Sequence, residues 1–465
     1  MALEQDRQWV GDQERCLERL NWAIQELGGT ADPDRLERTA ELIIQTMTGP
    51  WRYFHTPEHI FEVGHQGDAI EVLAALFHDL VYVQVDQGMS VNISRCIAPF
   101  VKEVQGELII LERSELPSNR LFEMVMQIFG FSAGQSLIPT AGQNEFLSAV
   151  IAAKSLEHAL PAQKIAEISV CIETTIPFRG RSETGLSPSD RLCQRLRQVD
   201  HSFGLGWHEA DLVRAVKRAV RMANRDIENF AYPSSADFLD NTWNLLPETN
   251  HDLKNANSYT VNGYRVSMQK MEGFMYFLKP ELVFQQFQNE PEEAIYQQQI
   301  AQTQKNLEVA RLYLGCKLLS IGVIEALSQR IGKEIPLATM MGELPSMGRS
   351  IAQLENFLPQ IPAAVPPETP VEWEVLSLIE KGRGQTSSYD IKNSPVTTFI
   401  IKSIGFSASK RLLTHAKSFF KGELGAEEFL DRCDRQVVDT IANGVVQVFE
   451  NRRNALRGKS VANRV

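Results

Sequence analysis

The chain has 465 residues, 43% hydrophobic and 23% charged, a make-up that suits globular domains with real cores and a length that suggests two or three of them. A formal net charge of −11 argues against a dedicated nucleic-acid binder, which needs a basic face. The six cysteines are scattered with no Cys-x-x-Cys pair, which fits reduced thiols and speaks against a disulfide framework or a structural zinc site.

The first residues are charged and lack the apolar core of a signal peptide. The most apolar stretch, residues 314–327, is interrupted by Lys317 and Glu325, so no membrane span is expected and the default location is the cytoplasm. Helical periodicity dominates from the start. Leu17, Leu20, Ile24 and Leu27 recur at three- and four-residue steps before Gly28-Gly29 stops the helix. A second helix is predicted over 33–48, ended by Gly49-Pro50. Thr56-Pro57-Glu58 has the form of a helix start, with Thr56 as cap. The run 70–82 predicts a helix buried on most of its surface.

Further helices are predicted over 92–104, 118–129, 145–154, 162–175, 190–200 and 211–230, with a polar loop at 180–188. The best strand candidate is the alternation over 258–266. A long helical region follows over 292–331. Residues 358–370 are proline-rich and predict an extended linker, and helical pattern resumes over 371–465. The fold class is therefore all-α, a helical bundle with additional C-terminal helical regions. Its expected parts are a domain over 1–285, a helical extension over 286–357, the linker over 358–370 and a C-terminal region over 371–465. The last fifteen residues carry Arg452, Arg453, Arg457, Lys459 and Arg464 and no acid, either a solvated tail or a dock for an acidic partner or lipid surface.

The chemistry concentrates in a few of the nine histidines. His55 and His59 bracket the helix start, and His78-Asp79 sits near one end of an oily helix. A buried Asp is costly unless it is paired, hydrogen-bonded or bound to metal. A metal answers that need, because His offers a nitrogen ligand and Asp a charged oxygen that can bridge two cations. His59 can join if the two helices pack antiparallel. A late carboxylate must complete the charge balance, and Asp200 is the candidate, followed by glycines that would let it turn back into the core. A second pair, His251-Asp252, lies in a polar stretch and reads as incidental. The competing account of the His78 set is a buried polar network without metal.

Arg52-Tyr-Phe-His-Thr-Pro-Glu-His-Ile60 followed by Leu73-Ala-Ala-Leu-Phe-His-Asp-Leu80 resembles the H…HD…D signature of HD-superfamily metal-dependent phosphohydrolases. The spacing is similar to that of class I cyclic nucleotide phosphodiesterase catalytic domains, over about residues 35–285. The resemblance implies that His59, His78, Asp79 and Asp200 hold a divalent metal (Mn, Mg, Fe or Zn), with Asp79 bridging to a second ion. It implies an activated water attacking phosphorus and His55 as the general acid. Glu173 would support a bound water, Lys154 would meet a substrate phosphate, and Phe274 would line the substrate site; the competing accounts are a salt-bridged carboxylate, a solvated lysine and a core aromatic. Two departures stand out: residues 80–88 contain no histidine, and the residue three before Phe274 is Met271.

The expected function is hydrolysis of a phosphate ester or (cyclic) nucleotide. The alternatives are a non-catalytic nucleotide sensor or scaffold that retains the metal site, and a structural helical protein. The expected partners are a small phosphorylated substrate or nucleotide, with the C-terminal helical region offering a surface for a second copy or another protein.

Overall fold

The protein's computed structural model describes residues 2–254, 258–342, 352–385, 387 and 390–456. It is all-helical apart from three short strands among the described residues. Two compact units share the chain. The first comprises Met1–Asn229 and Pro280–Ala301, the second Phe230–Lys279 and Gln302–Val465. This differs from a first domain running unbroken to residue 285, because 230–279 packs with the helices beyond 302.

In the first unit, α1 (Ala2–Glu26) and α2 (Pro33–Met47) pack through Cys16, Leu20, Ile24, Ile43 and Ile44, all buried. Helix α3 (Pro57–Gly64) opens with Thr56 at its cap position and Pro57 in its first turn; the Thr56 side chain makes no capping hydrogen bond. Helix α4 (Ala69–Phe77) is set by a capping box, with Asp68 accepting from the amides of Ile70 and Glu71 while Glu71 accepts from the Asp68 amide. All nine residues of α4 are buried, so its path through the core is fixed by packing on every side.

Helices α5 (Val83–Asp86) and α6 (Val91–Ile97) are short. The helix expected over 92–104 ends early: β1 (Val101–Val104) pairs antiparallel with β2 (Glu107–Ile110), and β2 with β3 (Ser136–Leu137). Gln105 and Gly106 both adopt positive φ, 54° and 84°, the geometry of a tight two-residue hairpin turn. Helix α7 (Arg120–Phe129) precedes β3, and α8 (Gln143–Leu156) follows it. Helix α8 starts from Gly142 at φ 96°, where a Cβ would meet Ile176 at 2.3 Å, so only glycine fits that corner. Helices α9 (Ala162–Thr174), α10 (Pro188–Phe203) and α11 (Glu209–Asp226) complete the core of this unit. Gln285, on the returning segment, bonds Asn224, Thr174 and Ser189, fastening that segment to α9, α10 and α11.

The second unit holds α12 (Ser235–Trp243), α13 (Leu245–Thr249) and α14 (Val261–Phe277). Helix α15 (Glu293–Gln329) begins in the first unit and continues in the second. Then come α16 (Leu337–Met341), α17 (Pro370–Lys381), α18 (Pro395–Phe420), α19 (Ala426–Arg432) and α20 (Arg435–Leu456). The alternation over 258–266 belongs to α14 and its lead-in, with a single isolated bridge between Thr260 and Pro336; helical hydrogen bonding wins because Thr260 caps the helix at the Gly263 amide.

The proline-rich segment is packed against this unit: the Ala364 amide donates to Lys402, and Val365 lies against Gly405, where α18 breaks at φ 75°. A buried charge network joins Lys317, Arg383, Asp240 and Asp390, with the Trp243 indole donating to Asp390 at 2.9 Å. The six cysteines are free thiols. No helix among the described residues is long and apolar enough to cross a membrane. Arg457, Lys459 and Arg464 of the basic tail lie outside the described residues.

Candidate metal centre

His78 is the C-terminal cap of α4, and its own amide still bonds Ala74. The helix therefore ends at Phe77, and Asp79 is released into the following turn, short of the helix expected to 82. His78 Nδ1 lies 2.8 Å from the Ala75 carbonyl. A carbonyl can only accept, so Nδ1 carries hydrogen and Nε2 faces the opposite way with its ligand position committed. His59, in the first turn of α3, meets the end of α4 as an antiparallel pair requires, with the two imidazole centroids 5.5 Å apart.

The fourth side chain is Asp226, the last residue of α11. Its Oδ1 lies 3.0 Å from His59 Nε2 and 3.2 Å from His78 Nε2. Asp79 Oδ2 lies 2.9 Å from His78 Nε2 and 3.4 Å from His59 Nε2. One ligand atom from each of His59, His78, Asp79 and Asp226 falls within 4.8 Å of the others, a group that could hold a metal ion. The fit has an independent sign: Asp79 Oδ2 is buried and makes no aligned hydrogen bond despite those close nitrogens. His78 is 1% exposed, while the other three side chains are 11–19% exposed, leaving the group reachable from solvent.

The electrostatics say the same. Burial disfavours charge on His59, yet the hydrogen bond to Asp226 and the negative charges of Asp226 and Asp79 outweigh it and push the imidazole up to about 9. His78 is raised as well, against burial, by Asp79 and Asp226. Burial opposes ionisation of Asp226, but His78 and His59 hold its carboxyl down to about 2. Asp79 is held well below the usual carboxylate range by His78, then by His55 and His59. The pair of carboxylates thus calls for positive charge between the imidazoles, from protons or from a cation.

Asp200 does not join this group. The turn expected after it exists, with Gly204 and Gly206 at φ 59° and 73°, but it brings the Trp207 amide onto Asp200 Oδ1 at 3.0 Å. Asp200 stabilises the α10–α11 corner, and Asp226 is the fourth member of the cluster.

His55 stands beside the centre. Its ring is 5.9 Å from that of His59 and edge-on to Tyr82 at 4.7 Å. Glu173 is buried between Arg179 and Arg195, which hold its carboxyl low against the effect of burial, so it is a structural ion pair and not a support for bound water. Lys154 is exposed in the last turn of α8. Phe274 is half-buried on α14 in the second unit. The His251-Asp252 pair lies in a one-turn helix, His251–Lys254, with Asp252 exposed and His251 partly buried.

One group escaped the sequence reading. Glu145, in the first turn of α8, has a buried Oε2 with no hydrogen-bond partner. Burial pushes its carboxyl up to about 7, with Asp79 and Asp226 adding repulsion against the pull of its own backbone amide and Arg179. Its neighbours fix the turn after Asp79: Ser148 Oγ accepts from the Val81 amide and Asn144 Oδ1 from the Val83 amide. Glu173 is thus the salt-bridged carboxylate, and Glu145 is the buried carboxyl that feels the charge of Asp79 and Asp226.

No family model, curated protein or solved structure matches the chain. The fold and site define an all-helical protein whose first unit carries a His/Asp cluster that could hold a metal ion.

Proposed function

We propose that the first unit is an HD-type hydrolase that uses a divalent metal to cleave a phosphate ester. The observation that carries this reading is the convergence of His59, His78, Asp79 and Asp226, with Asp79 Oδ2 buried and unbonded at their focus. Those four side chains would hold the ion, of the Mn, Mg, Fe or Zn class, and Asp79 has the second oxygen needed if two ions are used.

When bound, the metal supplies Lewis acidity toward the phosphate and a water acidified to react near neutral pH. The chain's own contribution is orientation and proton handling. Ala75 fixes the His78 tautomer, leaving Nε2 as the ligand atom. Arg52 ties the Asp79 carbonyl at 3.0 Å while gripping Asp86 with its other nitrogens, so the turn carrying Asp79 is held from behind. His55 is assigned the proton delivered to the leaving oxygen, since its ring borders the cluster without belonging to it. Glu145 is a positioning carboxyl for water near Asp79.

The test is hydrolysis of a panel of phosphate monoesters, cyclic and linear nucleotides and a generic phosphodiester. It is run with Mn²⁺, with Mg²⁺ and with chelator, on the wild type and on Asp79→Ala. Metal-dependent turnover lost in a folded Asp79→Ala protein is the expected result. Turnover that persists in that variant removes the site assignment, and metal binding without turnover on any substrate moves the reading to a sensor.

A further inference from the structure

We propose that a cavity in the second unit binds a free amino acid with a large apolar side chain, its carboxylate on Arg311 and its ammonium on Glu308. The site is independent of the hydrolytic reading: every residue that lines it belongs to the second unit, and the His/Asp cluster belongs to the first. The cavity has a volume of about 340 Å³, at the lower end of the range for small-molecule sites.

Helices α15 and α18 form its long walls. From α15, Glu308, Arg311, Leu312 and Gly315 recur at three- and four-residue steps and so share one face. Phe406, Lys410 and Leu413 do the same on α18. A Cβ at Gly315 would stand 3.1 Å from Leu413 Cδ2, so the two helices approach closely there and bound the cavity on that side. The first turn of α17 adds Val371 and the buried Glu372.

Two of the four charged side chains cancel, since Lys410 Nζ lies 3.0 Å from Glu372 Oε1. The other two have no counter-charge. Arg311 donates through Nε to the Met275 carbonyl at 2.9 Å and through Nη2 to the Leu278 carbonyl at 2.7 Å, which holds it at the end of α14. Carbonyls are neutral, and Nη1 keeps its donors, with no partner among the described residues. Glu308 accepts from the Gln304 amide at 3.0 Å and pairs with no cation among the described residues. Spaced three residues apart on one helix, Glu308 and Arg311 are close enough to serve one small ligand. The hold of α14 on the guanidinium is what keeps them from serving each other.

This charge pattern selects the occupant. A phosphate or a dicarboxylate would face Glu308, and a diamine would face Arg311. A hydrocarbon would take water from both groups and return no hydrogen bond. A zwitterion with an apolar body satisfies all three parts: its carboxylate makes a charge-assisted bond to Arg311, its ammonium meets Glu308, and its side chain lies against Leu312, Val371, Phe406 and Leu413.

The experiment is calorimetric titration of the full-length protein with phenylalanine, leucine, glycine, 3-phenylpropanoate and phenethylamine. Phenylalanine or leucine is expected to bind about tenfold or more tightly than glycine, which lacks the apolar body, and than the two analogues that each lack one charge. Glu308→Gln, at an exposed position, should weaken the amino acid about tenfold and leave 3-phenylpropanoate unchanged. Arg311→Gln should weaken the amino acid likewise and leave phenethylamine unchanged; should its loss from the end of α14 prevent folding, Glu308→Gln decides alone. Amino-acid affinity unchanged in Glu308→Gln overturns the proposal, as does 3-phenylpropanoate or phenethylamine binding as tightly as phenylalanine. Absence of binding by every compound overturns it as well.

Discussion

His59 and Asp226 stand 167 residues apart in the chain, yet His59 Nε2 lies 3.0 Å from Asp226 Oδ1. That contact makes α11, and not α10, the source of the second carboxylate. Asp226→Ala is therefore expected to weaken Mn²⁺ affinity by about a hundredfold or more, at least the loss seen when a ligand's supporting shell is removed. Asp200→Ala should leave metal affinity unchanged and cost about 1 kcal/mol of stability, the worth of its bond to the Trp207 amide. Calorimetric metal titration of both variants checks the assignment, and the opposite ranking would restore Asp200.

The metal-free centre should lose stability as pH rises. His59 ionises near 6.5 when unfolded and at about 9 when folded, so its contribution is complete below 6.5 and disappears as pH climbs through 9. Glu145 acts in the same direction: its folded carboxyl holds a proton up to about 7, where the unfolded one has released it near 4.5. On the acid side, Asp226 contributes stability above 3.8 that is lost as pH falls toward about 2. Chelator-treated protein should thus show its unfolding midpoint falling between pH 6.5 and 9. Mn²⁺ should reverse the fall, because a cation replaces the protons that leave and binds more tightly as they do. A midpoint independent of pH over that window would contradict the cluster's geometry.

Glu173 offers a contrast between a structural and a catalytic carboxylate. Its side chain is 1% exposed and neutralises both Arg179 and Arg195. Glu173→Gln should destabilise by about 3 kcal/mol, since two partly buried cations lose their partner. Mn²⁺ affinity should stay within about twofold of the wild type, because outer groups that do not touch a ligand have no such leverage. Chemical denaturation beside metal titration separates the two effects.

The second unit makes its own prediction. Asp390 accepts from Lys317 at 2.8 Å and from Trp243 at 2.9 Å, with Arg383 at 3.6 Å. Asp390→Ala removes the acid from beside two buried cations and should cost about 3–5 kcal/mol. A denaturation transition that moves in the second unit while metal binding in the first is retained is the expected pattern; no change in either would show the network to be idle.

Much of the first unit was legible because its pattern repeats. The oily run over 70–82 contains α4, which stops at Phe77, and His59, His78 and Asp79 meet as their spacing implied. The fourth member of the cluster was not legible, for a definite reason. Asp226 continues the buried stripe of α11 through Leu212, Ala215, Ala219 and Ala223, but Asp200 equally continues that of α10 through Leu192, Leu196 and Val199. Periodicity marked both carboxylates as inward-facing, and only the tertiary packing chose between them. The hairpin at 101–110 was missed because Val101 and Val104 also fit a helical step, although Gln105-Gly106 carried the turn signal. The proline-rich segment read as a linker because proline composition reports backbone stiffness, not whether a neighbour such as Lys402 will accept the chain.

Gln285 fastens residues beyond 280 to α9, α10 and α11, and so sets an order of events during synthesis. The first unit has all four cluster residues on the ribosome once Asp226 is made, but its last interlock is not available until some sixty residues later. In the interval, residues 230–279 are already emerging while the helices they pack with are still unmade. A nascent chain stalled with residues up to about 240 clear of the exit tunnel should therefore display a half-closed first unit with its cluster residues present and its fastening absent. One stalled well past residue 301 should resist proteolysis there before the second unit has any complete core.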